Sequence, residues 1–331
     1  MTLLAGDIGG TKTLLQLFES NSDGFTILFE QRYISNHYDH LIVMIEEFLT
    51  HAKEKLSLAS VSISKACFGI AGPIQGDVAR VTNLPWVIKA DELQQALDIE
   101  KVFLINDFKA IAYALKVLPD SDYCVLQQGK EKLQAPKVII GAGTGLGSAF
   151  LFYTGRQYEV FSSESSHAAF APINVLEIEL LQFLRKKYQQ VSYEHIVSGP
   201  GLVNIFEFLC SIENNQLSNE LNDALTTMDK SAAISQFALN KTDVIAIQAL
   251  DIFTQIYARQ AANLALTSLA FGGVYIAGGI APKIIEKLKD PEFLKHFKNN
   301  TNMGYLLEDM PLKVLMNANA GLIGAAVVAA S

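Results

Sequence analysis

Two glycine-rich stretches carry the residue types that can wrap an anion. They are Gly6-Asp7-Ile8-Gly9-Gly10-Thr11 and Gly141-Ala142-Gly143-Thr144-Gly145-Leu146-Gly147. Backbone N–H groups can crowd around a phosphate where no Cβ blocks the approach. Between the two stretches an apolar run ends in Leu104-Ile105-Asn106-Asp107, which sets a carboxylate at its tip. Two loops can hold the phosphates of one nucleotide from both sides, and the acid between them is a natural base. Such a set suits phosphoryl transfer, which needs positioning and charge stabilisation more than covalent help. Asp7 cannot cradle an anion, so its chemistry in a phosphate loop is that of a Mg2+ ligand through water.

The flanking elements decide what kind of glycine loop this is. Gly141 to Gly147 follows the apolar run Val138-Ile139-Ile140 and contains a Gly-x-Gly spacing. A dinucleotide fingerprint would need a helix next, to receive the pyrophosphate at its N-terminus. Instead comes Ser148-Ala149-Phe150-Leu151-Phe152-Tyr153, aromatic-rich and strand-like. Thr13-Leu14-Leu15-Gln16-Leu17-Phe18 also reads as a strand after the first loop. Both loops are therefore expected to be tight β-hairpins. No Gly-x-x-x-x-Gly-Lys-Ser/Thr loop occurs.

The 331 residues leave room for two domains. Half are hydrophobic, enough for a substantial core. The net charge of −8 is spread out with no basic stripe, which disfavours nucleic-acid binding. Cys67, Cys124 and Cys210 are far apart and contain no Cys-x-x-Cys pair, which points to reduced structural thiols. The first basic residue is Lys12, so a signal-peptide n-region is not expected. No uninterrupted apolar run reaches the ~18 residues of a spanning helix. The nearest, Val244 to Leu269, is broken at Gln248, Asp251, Gln255, Arg259 and Asn263. That spacing gives a helix with one polar stripe and a wide buried face. A cytoplasmic protein without membrane partners is the expectation.

Residues 2–35 read as two or three strands, with Asn21-Ser22-Asp23-Gly24 as a turn signal. Helices are expected over His40–Leu56, Asp91–Leu97 and Asp107–Leu115. Buried strands are expected over Ile63–Ile70 and Val102–Ile105, with a hairpin at Gly76-Asp77 and a second arm to Thr82. A second α/β unit starts near Lys137, its glycine loop 135 residues after the first. The organisation suggests duplication without sequence similarity beyond the loops. Further helices are expected over 173–188, 202–212, 232–239 and 242–270, then a strand over Val274–Ala277 and a buried helix over Gly321–Ala329.

The two loops, Ile105-Asn106-Asp107-Phe108 and Ser198-Gly199-Pro200-Gly201-Leu202 resemble the bacterial ATP-dependent glucokinase family. This is a branch of the hexokinase/actin-like superfamily distinct from the repressor-related sugar kinases. Gly72-Pro73-Ile74-Gln75-Gly76-Asp77, Thr82-Asn83 and Trp86 fit it too. So do Ala277-Gly278-Gly279-Ile280-Ala281-Pro282 and Asn319-Ala320-Gly321-Leu322-Ile323-Gly324. The matches run in order over nearly the whole chain.

The resemblance implies a two-domain α/β, ribonuclease H-like fold, with sugar and ATP in the interdomain cleft. The expected domains are a small one, 1–114 plus 315–331, and a large one, 115–314. The resemblance implies that the C-terminal helix packs back onto the small domain. It implies transfer of the γ-phosphoryl group of ATP to the 6-hydroxyl of glucose, with Mg2+. It assigns Asp107 as general base, and Asn106, Glu164, His167 and Glu194 as sugar ligands. Gly6, Asp7, Gly9, Gly10, Thr11, Gly143, Thr144 and Gly145 would serve the nucleotide phosphates, and Gly278 and Gly279 the adenosine. The chemistry fits, because a carboxylate near the attacking hydroxyl contributes roughly 10²–10⁴-fold. A hexose also needs clustered acceptors and amides. A homodimer is the default assembly for such an enzyme.

Three features depart from the family. Ser165-Ser166 stands where Gly-Gly is usual, which predicts strain if the turn needs positive φ. Ala169 replaces an acid that could support His167, and Lys12 replaces an Asn. Lys12 either touches a phosphate or is solvated at the strand edge. Asp107 at a strand–helix junction also suits a helix N-cap. His37, His40, His51 and His296 read as surface residues, and His195 as incidental. The rival functions are a kinase for another hexose, a non-catalytic sugar-binding regulator, and an actin-like ATPase. The chain starts with its phosphate-loop strand where a regulator would carry a DNA-binding module, and no zinc-type cysteine motif follows His167.

Overall fold

The computed structural model describes residues 2–21, 24–58, 60–212 and 217–331. The turn expected at Asn21–Gly24 therefore falls partly outside the described residues, at Ser22 and Asp23. Contacts divide the chain into two units, Met1–Pro119 with Asn317–Ser331, and Asp120–Met316.

The first unit opens with β1 (Thr2–Ile8), β2 (Lys12–Asn21) and β3 (Gly24–Ile34), then α1 (Leu41–Leu56) and β4 (Lys65–Ile70). A small three-stranded sheet follows: β5 (Ile74–Gln75), β6 (Val78–Arg80) and β7 (Val87–Lys89). Then come α2 (Ala90–Leu97), β8 (Lys101–Asn106) and α3 (Asp107–Ala114). The main sheet has the order β3-β2-β1-β4-β8, with β1 antiparallel to β2 and parallel to β4. Its central strand β1 is apolar on both faces because both are covered. Leu4 and Ile8 point into a core with Met44, Ile45 and Phe48 of α1, while Leu3 and Ala5 meet Ala110, Leu322 and Ala326 on the other side. The C-terminal helix, Ala320–Ala329, thus packs on this unit, as expected. Gly324 permits the approach, since a Cβ there would run into the Ala110 carbonyl.

The second unit holds β9 (Tyr123–Gln127), β10 (Lys137–Ala142), β11 (Leu146–Tyr153) and β12 (Tyr158–Ser163). Helices α4 (Val175–Leu184), α5 (Gly199–Ile212), α6 (Asn219–Thr227), α7 (Lys230–Leu239) and α8 (Val244–Ser268) follow. Next come β13 (Gly273–Ala277), α9 (Ile285–Leu288), α10 (Pro291–Lys298), α11 (Gly304–Asp309) and β14 (Leu312–Leu315). The sheet order is β12-β11-β10-β13-β14-β9. Its first five strands repeat the wiring of the first sheet: a three-strand meander whose innermost strand pairs with a parallel neighbour. The duplication suggested by the loop spacing therefore has a topological counterpart.

Helix α4 starts two residues later than expected and ends four residues sooner. Asn174 caps it, accepting the Glu177 N–H at 2.9 Å, while Glu177 accepts the Ile173 N–H at 3.0 Å. Within the polar stripe of α8, Arg259 is buried rather than solvated, 2.7 Å from the buried carboxylate of Glu177.

Candidate active site

In the first unit, β1 ends at Ile8 and β2 begins at Lys12, which leaves Gly9-Gly10-Thr11 as the connecting loop. It is a β-hairpin, as the strand-like residues after it required. Gly9 donates its N–H to the Lys12 carbonyl at 3.0 Å. Ser35 braces the loop from beneath. Its hydroxyl donates to the Gly9 carbonyl at 2.7 Å, and its N–H to the Thr11 carbonyl at 3.0 Å. The same hydroxyl lies 3.0 Å from Thr13 Oγ1. Sequence reasoning missed Ser35, which carries no motif. Gly10 has no room for a side chain, since a Cβ would sit 2.7 Å from the Thr82 carbonyl oxygen. The Lys12 side chain is exposed at the start of β2.

Asp7, near the end of β1, and Asp107, at the junction of β8 and α3, lie on either side of β4, close enough for the charge of Asp7 to act on Asp107. Asp7 is one residue from the end of β1, and its carboxylate lies against the first turn of the C-terminal helix, beside Gly321. A helix N-terminus favours an anion there. Asp107 is the first residue of α3, and Asn106 is the N-cap. Asn106 Oδ1 accepts the N–H groups of Phe108 at 3.0 Å and Lys109 at 3.2 Å. The cap reading of Asp107 thus moves one residue back, to Asn106 Oδ1. Burial pushes Asp7 up to about 6. Burial likewise pushes Asp107 up to about 6, opposed by the Phe108 N–H and reinforced by the charge of Asp7. Among the described residues neither carboxylate forms an ion pair. Two desolvated acids without a cation are a donor set for a hard divalent ion.

The second unit presents the matching hairpin. Ala142 of β10 faces Leu146 of β11, so Gly143-Thr144-Gly145 form the loop. Gly143 donates to the Gly145 carbonyl at 2.8 Å, and Gly199, opening α5, donates to the Gly143 carbonyl at 2.8 Å. Leu146 donates its N–H to Glu194 Oε2 at 2.9 Å. A Cβ on Gly145 would lie 2.6 Å from that oxygen. Thr144 is exposed, and a Cβ on Gly143 or Gly279 would meet nothing within 4 Å. Their small size is not demanded by protein neighbours, which leaves their backbone open to a ligand. Gly278 is different. Its φ is +82° and a Cβ would collide with the Ala142 carbonyl, so the chain can turn there only with glycine. Beneath both loops lies the hydroxyl of Tyr257 on α8. It accepts the Ala142 N–H at 3.2 Å and lies 3.3 Å from the carbonyls of Ile140 and Ala277. Sequence reasoning missed this residue too; a tyrosine on the apolar face of a helix was the available signal.

Glu164, His167 and Glu194 gather in the second unit. Glu164 Oε2 and His167 Nε2 are 3.7 Å apart and both side chains are exposed. Ser165–His167 form a single 3-10 turn, closed by the His167 N–H on the Glu164 carbonyl at 3.0 Å. Neither serine has positive φ, so the expected strain is absent: a 3-10 turn is right-handed and accepts any L residue. Ser165 Oγ instead lies 2.7 Å from Ser148 Oγ. Ala169 forms a bridge with Ser192, flanked by Phe170 N–H to the Val191 carbonyl and Tyr193 N–H to the Ala168 carbonyl. This short zipper sets the Ser165–His167 turn beside the Tyr193–His195 turn that carries Glu194. His195 has a structural task. Its Nδ1 accepts the Ser192 N–H at 3.1 Å and its ring stacks on Tyr188 at 3.8 Å. His51 and His296 are half-buried rather than superficial. His51 lies 3.1 Å from Gln31 Oε1, and burial lowers the pKa of His296.

Comparison with known proteins agrees with this arrangement. A family model described as Glucokinase matches residues 4–331. A glucokinase of Trichormus variabilis is 43% identical over 342 aligned residues, spanning 99% of this chain and 98% of its own. A solved glucokinase from an Antarctic psychrotroph superposes with a TM-score of 0.83 at 28% identity, covering 99% of this chain and 98% of that one. The glucokinase of Balamuthia mandrillaris, solved with glucose, shares the fold with a TM-score of 0.79 at 24% identity, covering 100% and 94%.

Proposed function

The chain belongs to the glucokinase family, and from that membership we propose that it transfers the γ-phosphoryl group of ATP to the 6-hydroxyl of glucose. The products are glucose 6-phosphate and ADP. The observation that carries this reading furthest is the pair Asp7 and Asp107 at the mouth of the first glycine hairpin.

Asp107 is the general base. It takes the proton of the sugar hydroxyl as oxygen attacks phosphorus. Its raised pKa of about 6 keeps it ionised at neutral pH yet basic enough to accept that proton. The N–H groups around Gly9, Gly10 and Thr11, and around Gly143, Thr144 and Gly145, hold the phosphates. Gly278 makes the turn and Gly279 leaves room for the adenosine. Asn106 offers Nδ2 to a sugar hydroxyl, since its Oδ1 is engaged in capping α3. Glu164, His167 and Glu194 accept or donate to the remaining hydroxyls. Mg2+ fits Asp7, held through water, and when bound it neutralises phosphate charge. The working assembly is a homodimer in the cytoplasm. No helix among the described residues is long and apolar enough to cross a membrane.

The test is ADP release from MgATP with glucose, fructose, mannose and an amino sugar in turn. Glucose is expected to give the highest kcat/KM. A clear preference for another hexose would keep the mechanism and move the specificity to the Glu164–His167 turn. No turnover with any sugar, in folded protein, would overturn the proposal.

A further inference from the structure

The residues assigned to the sugar and those assigned to the second phosphate hairpin are tied through two positions near the start of one strand. Leu146, at the start of β11, donates its N–H to Glu194 Oε2 at 2.9 Å. Two residues on, the buried Ser148 places its Oγ 2.7 Å from Ser165 Oγ. Both ties therefore sit two residues apart at the loop end of β11, one through the backbone and one through a side chain. Glu194 also belongs to a brace that grips the hairpin at its other end. Its carbonyl accepts the Ser198 hydroxyl at 2.7 Å, and the next residue, Gly199, donates to the Gly143 carbonyl at 2.8 Å. The segment Glu194–Gly199 thus spans the loop from Gly143 to Leu146.

We propose that Glu194, Ser148 and Ser165 are positioning residues that couple sugar binding to the shape of the second phosphate hairpin. This inference rests on the glucokinase reading above. Glu194 has two oxygens with separate tasks: Oε2 fixes the hairpin and Oε1 is left for a sugar hydroxyl. A hydroxyl donated to Oε1 orders the carboxylate and so orders the Leu146 N–H that shapes the loop. Ser165 adds a second tie through its hydroxyl. By reciprocity, a sugar that tightens nucleotide binding is itself bound more tightly when nucleotide is present.

The experiment measures binding of a non-hydrolysable ATP analogue with Mg2+ by calorimetry, without and with saturating glucose. No turnover is needed. Without glucose, Glu194→Ala should weaken the analogue about five- to tenfold, because the hairpin loses a charge-assisted bond. Glu194→Gln keeps an acceptor and should restore binding to within about twofold of wild type. A residue that served the sugar alone would leave both variants at the wild-type value, and that result overturns the inference. Ser165→Ala provides a variant of milder effect. It should keep its affinity for the analogue alone but lose most of the tightening that glucose gives the wild type. Undiminished tightening in that variant also overturns the inference. A wild-type protein that binds neither ligand would instead bring down the glucokinase reading itself.

Discussion

The two glycine hairpins have the same backbone plan and are held in place by different means. The first is braced by a buried serine hydroxyl, Ser35, and its Gly10 is packed against the Thr82 carbonyl. The second is braced by a carboxylate, Glu194, by the N–H of Gly199 and by the hydroxyl of Tyr257, while its Gly143 faces open space. Glycine is thus needed for protein packing at Gly10 of the first loop and Gly145 of the second, and not at Gly143. At Gly143 and Gly279, room for a ligand is the remaining physical reason for glycine. The carboxylates are also divided unequally. The first hairpin has two desolvated acids beside it with no cation, and the second has one acid that already accepts an N–H.

Substitutions can sharpen this contrast, beginning with the largest effect. Gly10→Ala forces a Cβ onto a backbone oxygen and should cost about 1–3 kcal/mol in chemical denaturation. Tyr257→Phe strands the buried Ala142 N–H and should cost about 1–2 kcal/mol, together with weaker nucleotide binding. Ser35→Ala removes a buried hydroxyl from the first hairpin and should cost about 1 kcal/mol. Gly143→Ala should stay within about 0.5 kcal/mol of wild type in stability, yet raise the KM for ATP several-fold. Equal destabilisation by Gly10→Ala and Gly143→Ala would break the comparison.

The acids beside the first hairpin set a pH dependence. Asp7 and Asp107 both titrate at about 6 when folded, above their ordinary 3.8. The folded chain therefore binds more protons than the unfolded chain between those values. Stability from these groups is greatest below about pH 4, falls as pH rises towards about 6, and is level above. Activity runs the other way, since Asp107 must be ionised. The kcat/KM should fall about tenfold per pH unit below about pH 6. In Asp7→Asn the acid limb should move to lower pH, because the neighbouring charge that raises Asp107 is gone. An unmoved limb would assign it to another group.

Much of this arrangement was legible in the sequence because the signals were local. Strand-like residues after each glycine loop excluded a helix and forced a hairpin. An apolar run ending in Asn106-Asp107 put both residues at a strand–helix junction, though only the structure decides that Asn106 is the cap. The stripe of α8 was legible from its spacing, but not the burial of Arg259, which depends on Glu177, 82 residues earlier in the chain. The braces were invisible for the same reason. Ser35, Ser148 and Tyr257 act through partners distant in sequence or through backbone groups, and a lone serine or tyrosine carries no periodicity. The edge strands β9 and β12 and the short inner strand β14 were missed because short strands take their stability from neighbours rather than from propensity. Strain at Ser165-Ser166 was tied to a positive φ, which the sequence could not decide; the turn uses ordinary right-handed backbone.

The most direct test of the central claim, that Asp107 is the base, is glucose-dependent ADP release from MgATP by wild type and Asp107→Ala side by side. Glucose affinity and folding of the variant are checked in the same preparation. A fall in kcat of about 10²-fold or more, with glucose still bound, is the predicted result. Turnover in the variant within about threefold of wild type would contradict it and leave the proton to another acceptor.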